Sequence, residues 1–374
     1  MKRNDWKKIL ILLLSLIFLS GCWDSRDINY RSTPILMGLT KDEDLFHVYL
    51  IIPVSVVSEQ RNLAKVDGKG ITIVDALEQL KKKIETTIDL EHIGFIVLDE
   101  ELGKEGIGKI INTFMRMRDV PGTPAIAFTK EDMNTYIDQM IDTFQKVGVP
   151  IFGFLEKQTG REIYTPEVIL WEVYRGIHSY TSDISIPLIS SNKNLEMDYF
   201  GASVLKDGKI VETLDSIEVM LMNLLNNEEN VIKTFVTIDD TTNVELVERD
   251  VEYDYKFRGD EVDLTIRLEF VLIVSEAEDH LNDDKIQKMF EEKMKKDTLK
   301  LVKKLQGKHA DVLGISNRIR KNYTNAELKN FLEEIYPNIN INVDVEAVIE
   351  NNGKLRNLNN DDFEDWDKEK QEQD

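Results

Sequence analysis

Cys22 is the residue whose chemistry can be assigned most directly from the sequence, and it is the only cysteine among 374 residues. It follows Leu19, Ser20 and Gly21. An aliphatic residue, two small residues and a cysteine are typical of the site at which bacteria lipidate a cysteine thiol and cleave before it. We therefore predict a diacylglyceryl group on Cys22 and signal cleavage between Gly21 and Cys22. An ordinary signal sequence with an incidental cysteine is the alternative.

The residues ahead of Cys22 have the composition of a signal sequence. Basic residues lie near the N-terminus, and residues 9–19 are apolar except for Ser15. This run is too short to span a bilayer core of about 30 Å, so it predicts a lipoprotein signal peptide at residues 1–21. Two acyl chains on Cys22 would then hold the mature protein stably in the bilayer, on the outer face of the cytoplasmic membrane.

Composition narrows the classes of partner. The formal net charge is −22. Such a surface repels nucleic acid and anionic lipid headgroups, so no nucleic-acid partner is expected and the lipid must supply the anchor. After residue 21, no apolar run approaches the roughly 20 residues of a spanning helix. A hydrophobic content of 42% is ample for packed cores, and the length predicts an ectodomain of two or three domains.

The spacing of apolar residues predicts the elements that follow the lipid site. A linker at residues 22–30 leads into an N-terminal α/β domain over residues 31–129. There we expect strands at 34–39, 45–57, 93–98 and 125–128, and helices at 73–87 and 107–117. The first helix carries its apolar face on Val74, Leu77, Leu80 and Ile84. Residues 130–195 form either a small middle domain or an extension of the first, with helices at 133–144 and 167–177.

A different pattern begins at residue 196. Asp207 and Gly208 tolerate positive φ and predict a hairpin turn. Asp215 and Glu218 have the spacing of a capping box, which predicts that a helix begins there. Both signals are local, and they precede a region that is richer in strands than the first half.

The rest of this region predicts a C-terminal α+β domain over residues 196–352. Three antiparallel strands are followed by a long amphipathic helix at residues 283–306 and a closing strand at 339–350. Residues 353–374 are strongly acidic and predict a disordered tail. The fold class is therefore α+β, a multi-domain lipoprotein ectodomain in which each domain has a mixed or antiparallel sheet flanked by helices.

One glycine-rich segment imitates a phosphate-binding loop. Gly103, Gly108 and Lys109 have the required spacing, and the segment follows a strand and begins a helix. Ile110 stands where a hydroxyl should bind Mg²⁺. We interpret the segment as a strand-to-helix turn that uses glycine for its conformational freedom.

The sequence offers little support for catalysis. The histidines are too widely spaced to predict a metal site, and they stand at His47, His92, His178, His280 and His309. His92 precedes a strand and is interpreted as a strand-end or packing residue. No nucleophile elbow occurs, and the single cysteine is assigned to lipid. We therefore expect no catalytic residues, no cofactor and no metal.

Methionine and aromatic residues recur on the predicted helices at core-like spacing. Those interpreted as core are Phe114, Met115, Met117, Met220, Met222, Met289 and Met294. Trp171 and Tyr174 lie one helical turn apart. Either the core or a groove that binds a partner could contain them.

Three short motifs stand in a fixed order along the chain. The first is Gly21-Cys22-Trp23-Asp24, followed by Asp27-Ile28-Asn29. The second is the hairpin region from Gly201 to Leu214. The third is Asp311-Val312-Leu313-Gly314, followed by Tyr336-Pro337 and Gly353.

With these motifs the chain resembles the C subunits of spore germinant receptors, the GerC-type lipoproteins of endospore-forming bacteria. It departs from the family pattern at packing positions. Leu205 replaces a usual Phe, Glu212 a usual Gly, and Ser316 a common glycine. Leu328 or Phe331 lies where the family often has Trp.

The resemblance implies a non-enzymatic α+β lipoprotein of the spore inner membrane. It would assemble with two polytopic membrane subunits into a receptor for small nutrients such as amino acids, sugars or nucleosides. A lipid-anchored solute-binding protein of a transporter is the second hypothesis, and an anchored hydrolase is the third. Two similar α/β lobes would favour the second, and a convergent polar constellation the third.

Overall fold

A computed structural model of the chain describes residues 31–54, 62–147, 168–191, 197–226, 234–258, 261–278 and 281–350. The predicted signal peptide, the lipid site at Cys22, the linker, His280 and the acidic tail lie outside these residues. The described strands form an eight-stranded sheet, a four-stranded sheet and one short two-stranded pair. The α+β fold class predicted from the sequence is confirmed.

The eight-stranded sheet is mixed, with parallel strands in its middle. Its strands are β2 (Leu36–Asp42), β3 (Leu45–Val54), β4 (Asn62–Gly70), β6 (Phe95–Asp99), β7 (Ala125–Thr129), β8 (Ile184–Ser191), β9 (Met197–Lys206) and β10 (Lys209–Leu214). They are arranged in the order β10-β9-β8-β7-β6-β2-β3-β4. The neighbours β2, β6, β7 and β8 are parallel, and the outer pairs are antiparallel. The short pair joins β1 (Arg31–Ser32) to β5 (Thr87–Ile88) in parallel.

Helices cover both faces of this sheet, as a sheet with buried parallel strands requires. They are α1 (Ile73–Lys81), α2 (Glu100–Glu105), α3 (Gly108–Arg116), α4 (Met133–Val147) and α5 (Leu170–Ile177). Alternate residues of β6 divide between two cores. Phe95 and Val97 pack with α4, whereas Ile96 and Leu98 pack with α1, α2, α3 and α5.

The predicted hairpin between β9 and β10 is present. Asp207 and Gly208 form its turn with φ of 51° and 77°, as the sequence indicates. β9 pairs with β8, so strands from either side of residue 196 belong to the same sheet. The helix α6 (Ser216–Leu225) begins in the predicted capping box, where Asp215 and Glu218 each accept a hydrogen bond from the other's N–H.

The second sheet contains β11 (Thr234–Asp239), β12 (Thr242–Arg258), β13 (Glu261–Glu276) and β14 (Asn340–Ile349) in that order. The first three strands form the predicted antiparallel meander. The closing strand β14 pairs in parallel with β13, because helices lie between the two along the chain. These are α7 (Asp283–Gly307), α8 (Ile315–Ile319) and α9 (Asn325–Glu334).

The long helix α7 is the main cover of the second sheet. Its predicted apolar residues are all buried, and they are Ile286, Phe290, Met294, Leu301, Val302 and Leu305. Phe290 meets Phe270 of β13 edge to face, with ring centroids 5.3 Å apart. Residues 218–225 of α6 are all buried, since β9 and α7 both pack against this helix, whereas Ile217 in its first turn is 49% exposed.

Several elements differ from the sequence-based prediction. The strands β4 and β8 and the short elements β1, β5, α2 and α8 were not predicted, and α1 buries a different face. β4 was not predicted, because its polar, glycine-containing sequence lacks the alternation of apolar and polar residues that indicates a strand. As an edge strand, β4 does not need this alternation. β8 was also missed, since Pro187 indicates a break; Pro187 pairs only with β9, and pairing with β7 begins at Leu188. In α1, Ile73 and Ala76 face the core and Val74 points outward, and the helix ends at Lys81.

Within the described ranges, no helix combines the length and the apolar character needed to cross a bilayer.

Gly201 is expected to be the glycine that tolerates substitution least. Its φ is 125°, and a Cβ at this position would overlap the carbonyl oxygen of Leu214. We expect Gly201→Ala to lower the free energy of unfolding of the soluble ectodomain by about 3 kcal/mol or more. Urea unfolding followed by circular dichroism measures this.

The matched control is Gly307→Ala at the end of α7. A Cβ there meets no atom within 4 Å, so the change should be neutral or raise the free energy of unfolding by about 0.5–1 kcal/mol. Equal unfolding midpoints for the two variants would contradict the assignment of strain to Gly201.

Candidate functional site

The third sequence motif lies where the two sheets meet. Asp311 is completely buried, and its carboxylate accepts hydrogen bonds from the N–H groups of Ile315, at 3.0 Å, and Ser316, at 2.7 Å. It thereby caps the first turn of α8, where free N–H groups need an acceptor. Gly314 makes the turn before this helix with φ of 64°. Asp311 and Gly314 of this motif are therefore explained by local geometry.

The same aspartate joins the second sheet to the first. The Asp183 N–H donates to the Asp311 carbonyl oxygen at 3.0 Å, and the Asp311 N–H donates to Asp183 Oδ2 at 2.9 Å. Beside this reciprocal pair, the Thr181 hydroxyl donates to Asn317 Oδ1 at 2.7 Å. We call these four residues the junction. It connects the segment ahead of β8 to the segment that follows α7.

Ionic and polar contacts reinforce the junction on both sides. Asn226, at the end of α6, donates from Nδ2 to the carbonyl oxygen of Val312 at 3.1 Å. Glu333 of α9 binds Lys206 of β9 and also His309 Nδ1, the latter at 2.9 Å. The Lys206 hydrogen bond holds the pKa of Glu333 below its usual range. The hairpin of the first sheet is thus fastened to helices of the second.

Burial changes the acidity of both junction carboxyls. Removal from water raises the pKa of Asp183 to about 7; the negative charge of Asp311 adds to this, and the hydrogen bond from the Asp311 N–H opposes it. Burial also raises the pKa of Asp311, while its hydrogen bonds with Ser316 and Ile315 oppose the shift. Two carboxyl groups of altered acidity therefore meet between the sheets.

A second feature lies on the surface of α5. Trp171 is 48% exposed and stacks on Tyr174 with ring centroids 5.7 Å apart. Tyr174 meets the His178 ring edge on at 4.6 Å, and His178 Nε2 lies 3.2 Å from Asn112 Oδ1 of α3. We call Trp171, Tyr174 and His178 the aromatic ladder. Of the two roles left open by the sequence, exposure favours contact with a partner for Trp171.

The glycine-rich segment does not form a phosphate-binding loop. Gly103 lies inside α2, where a side chain would overlap Ile210, so it is a packing glycine. Gly106 ends α2 with φ of 119°, and the Ile107 N–H donates to the carbonyl oxygen of Gly208 at 2.8 Å. Glycine is needed for conformational freedom at Gly106, as predicted, and for close packing at Gly103.

The described histidines occupy separate places. His47 Nε2 lies 2.9 Å from Asp67 Oδ2, and His47 Nδ1 lies 2.9 Å from the Tyr49 hydroxyl. His92 is exposed beside a strand. Across the described part of the chain, no three His, Cys, Asp or Glu side chains are grouped so that they could hold a metal ion.

The core interpretation of the methionine and aromatic positions agrees with their burial. Phe114, Met220, Met222 and Met294 are buried, and Met115 and Met117 are partly buried against the same core as Phe114. Met289 is only partly buried and is not part of a core cluster in the described residues. None of these side chains is on the exposed part of the aromatic ladder. Of the methionine and aromatic residues singled out in the sequence, those on α5 remain the candidates for contact with a partner.

Sequence reasoning did not identify Asp183. The Asp311 motif was found only through resemblance, and Asp183 stands 128 positions away in a segment with no distinctive pattern. Its burial is a consequence of tertiary contact alone. A charged residue directly before an apolar strand is the only local signal, and that signal is common.

Together, the two unlike sheets and the junction that joins them define a multi-domain α+β protein. Comparison with known proteins gives the family. A model described as the spore germination protein N-terminal domain matches residues 24–191, and one described as spore germination B3/GerAC like, C-terminal, matches residues 200–353. The chain belongs to the GerC-type family of spore germination proteins, and the resemblance found in the sequence is confirmed.

Relatives match along almost their whole length. The protein YfkR of Bacillus subtilis (strain 168) is 22% identical over 386 residues, covering 95% of this chain and 98% of its own. Spore germination protein KC of the same organism is 21% identical over 398 residues, covering 93% and 96%. The crystal structure of the GerBC protein superposes with a TM-score of 0.56 at 14% identity, covering 84% of this chain and 97% of that one. This last likeness supports the fold.

The raised pKa of Asp183 predicts how stability depends on pH. The Asp183 carboxyl ionises at about pH 4 in the unfolded chain and at about pH 7 in the folded protein. Its contribution to the free energy of unfolding is therefore fully present below pH 4 and is lost as the pH rises through 7. Asp183→Asn keeps an acceptor for the Asp311 N–H but cannot ionise. Relative to wild type, the free energy of unfolding of Asp183→Asn should therefore be higher at pH 8 than at pH 4, by on the order of 2 kcal/mol.

Urea unfolding of the two proteins at both pH values measures this difference. Asp240→Asn, at an exposed position beside β11, is the matched control and should show no such change. A pH-independent effect of Asp183→Asn would contradict the assignment.

Proposed function

We propose that this chain is a non-enzymatic, lipid-anchored subunit of a nutrient germinant receptor that acts by protein contact at the membrane surface. Membership of the family along both halves of the chain is the observation that carries this proposal. In this role it binds polytopic subunits of the same receptor on the outer face of the spore inner membrane. The nutrient is recognised by the assembled complex.

The aromatic ladder is the surface that we propose for contact with those subunits. Tryptophan and tyrosine are enriched among the residues that dominate binding energy at protein interfaces. Stacking on Tyr174 fixes the Trp171 ring before contact, so little side-chain entropy is lost on binding. α5 in turn packs on α3 and β8, which provides a rigid base.

Lipidation of Cys22 would give the ladder access to its partners. An anchored ectodomain is confined to a thin layer above the membrane, and its effective concentration over a membrane subunit is therefore far above that of a free protein. A weak contact through one exposed helix is sufficient under this condition. The anchor and the contact surface are thus two separate requirements of the same function.

Trp171→Ala should reduce recovery of the polytopic subunits when this chain is purified from spore membranes, by about tenfold or more, as expected for a contact worth about 1.4 kcal/mol. Phe235→Ala removes an exposed aromatic residue of β11 instead and is the matched control. Recovery should fall only for Trp171→Ala, with unchanged melting temperatures. Equal recovery from wild type and Trp171→Ala would reject the ladder as the contact surface.

Cys22→Ala tests the anchor separately. The variant should leave the ectodomain folded, yet it should either leave the membrane fraction or keep its signal uncleaved, and the spores should lose the nutrient response. Fractionation, mass spectrometry of the N-terminus and a germination assay measure these three effects. A cleaved Cys22→Ala protein that still fractionates with membranes in the absence of its partners would contradict lipid anchoring.

A further inference from the structure

A small apolar groove of about 40 Å³ lies beside α1. Its lining comes from α1, from the segment around β5 and from the loop that follows α3, and it consists of Val74, Leu77, Glu78, Lys81, Ile88, Leu90, Met117 and Asp119. Five of these eight residues are apolar. The groove opens to solvent between α1 and the loop after α3.

Two exposed aliphatic side chains extend this apolar surface. Val74 is 46% exposed and lines the groove, and Ile71, just ahead of the helix N-cap Thr72, is 73% exposed. Both stand at the start of α1, within one turn of chain. Isolated exposed aliphatic residues are ordinary, but a pair beside an open apolar groove forms a patch typical of an interaction surface.

The first described residues lie directly beside this groove. In the β1–β5 pair, Ser32 is the register partner of Ile88, which lines the groove. The Asp89 N–H donates to the Ser32 carbonyl oxygen at 2.9 Å, and Arg31 Nη1 binds Asp89 Oδ2 at 2.8 Å. The position of Arg31 relative to the groove is therefore fixed by hydrogen bonds and an ion pair.

Few residues separate this point from Cys22. Residues 22–30 can span at most about 30 Å when fully extended, and about 16 Å on average if they behave as a flexible chain. A lipid on Cys22 would hold Arg31, and with it the groove, close to the bilayer surface. No other described surface is tied to the anchor by so short a segment.

The charges around the groove are mixed, in contrast to the acidic chain as a whole. Lys82 follows the lining residue Lys81 in sequence, and Arg116 and Arg118 flank the lining residue Met117; all three are exposed. Glu78 and Asp119 stand on the same rim, and Lys81 pairs with Glu78 at 2.7 Å. Exposed cations in these segments can approach phosphate headgroups, whereas much of the remaining surface of a chain of charge −22 is repelled by them.

We propose that this groove and the side chains of Ile71 and Val74 form the membrane-facing surface of the ectodomain. The two aliphatic side chains enter the interfacial region of the bilayer, and the cations on the rim meet its headgroups. The acyl chains provide the anchor, and this surface sets the orientation. The inference rests on the lipid anchor of the proposed function and adds a defined orientation of the ectodomain relative to the bilayer.

Site-specific labelling of the lipidated full-length chain tests this orientation. Because Cys22 is acylated, Ile71→Cys introduces the only free thiol, which can carry an environment-sensitive NBD fluorophore. Val348→Cys is the matched control, since Val348 is 63% exposed on β14 of the other sheet. The labelled proteins are bound to vesicles of phosphatidylcholine and phosphatidylglycerol, with and without doxyl-labelled lipid.

We expect NBD at position 71 to brighten about twofold or more on vesicle binding and to be quenched by doxyl lipid, with no change at position 348. Val74→Cys should behave as Ile71→Cys does. Vesicle-bound protein in which the labels at 71 and 348 respond alike would overturn the orientation and leave the anchor standing. Failure of the chain to float with vesicles would overturn the anchor, and the orientation with it.

Discussion

The reciprocal hydrogen bonds between Asp183 and Asp311 are the constraint on which the arrangement of the two sheets depends. Each residue donates from its backbone to the other, at 3.0 and 2.9 Å, and the Asp311 carboxylate also caps α8. A buried carboxylate is tolerated only where hydrogen bonds replace water. The Asp311 side chain accepts hydrogen bonds from the first turn of α8, and its backbone bonds to Asp183 beside the other sheet. Loss of α8 would therefore also weaken the connection between the sheets.

This connection restricts movement between the two sheets. The helix α6 packs against β9 and α7, and ion pairs join Lys304 of α7 to Glu218 of α6 and Lys206 of β9 to Glu333 of α9. Little relative movement of the sheets is compatible with these contacts. A rigid protein loses less conformational entropy on binding than one whose domains move freely. In the role that we propose, the small aromatic ladder on α5 can therefore suffice as a contact surface.

Features that depend on neighbouring residues could be predicted from the sequence. The hairpin turn at Asp207, the capping box at Asp215 and the buried face of α7 all follow from local spacing. The parallel pairing of β14 and the burial of Asp183 could not be predicted, since both depend on segments far apart in the chain. β4 and β8 were missed for a related reason. β4 lies at the sheet edge, and the part of β8 that contains Pro187 pairs with β9 alone, so neither strand needs the usual residue pattern.

The parallel pairing of β14 with β13 also has a consequence for biogenesis. Its ten register pairs join residues 263–272 to residues 340–349, and the Ala347 N–H donates to Glu291 of α7 at 2.9 Å. If the chain is exported to the membrane surface as we propose, residues up to 349 have to emerge before the second sheet acquires its last strand. Until then the apolar side of α7 lacks part of its cover. A chain that ends before residue 340 would lack β14 and remain incompletely folded, which exposes it to proteolysis.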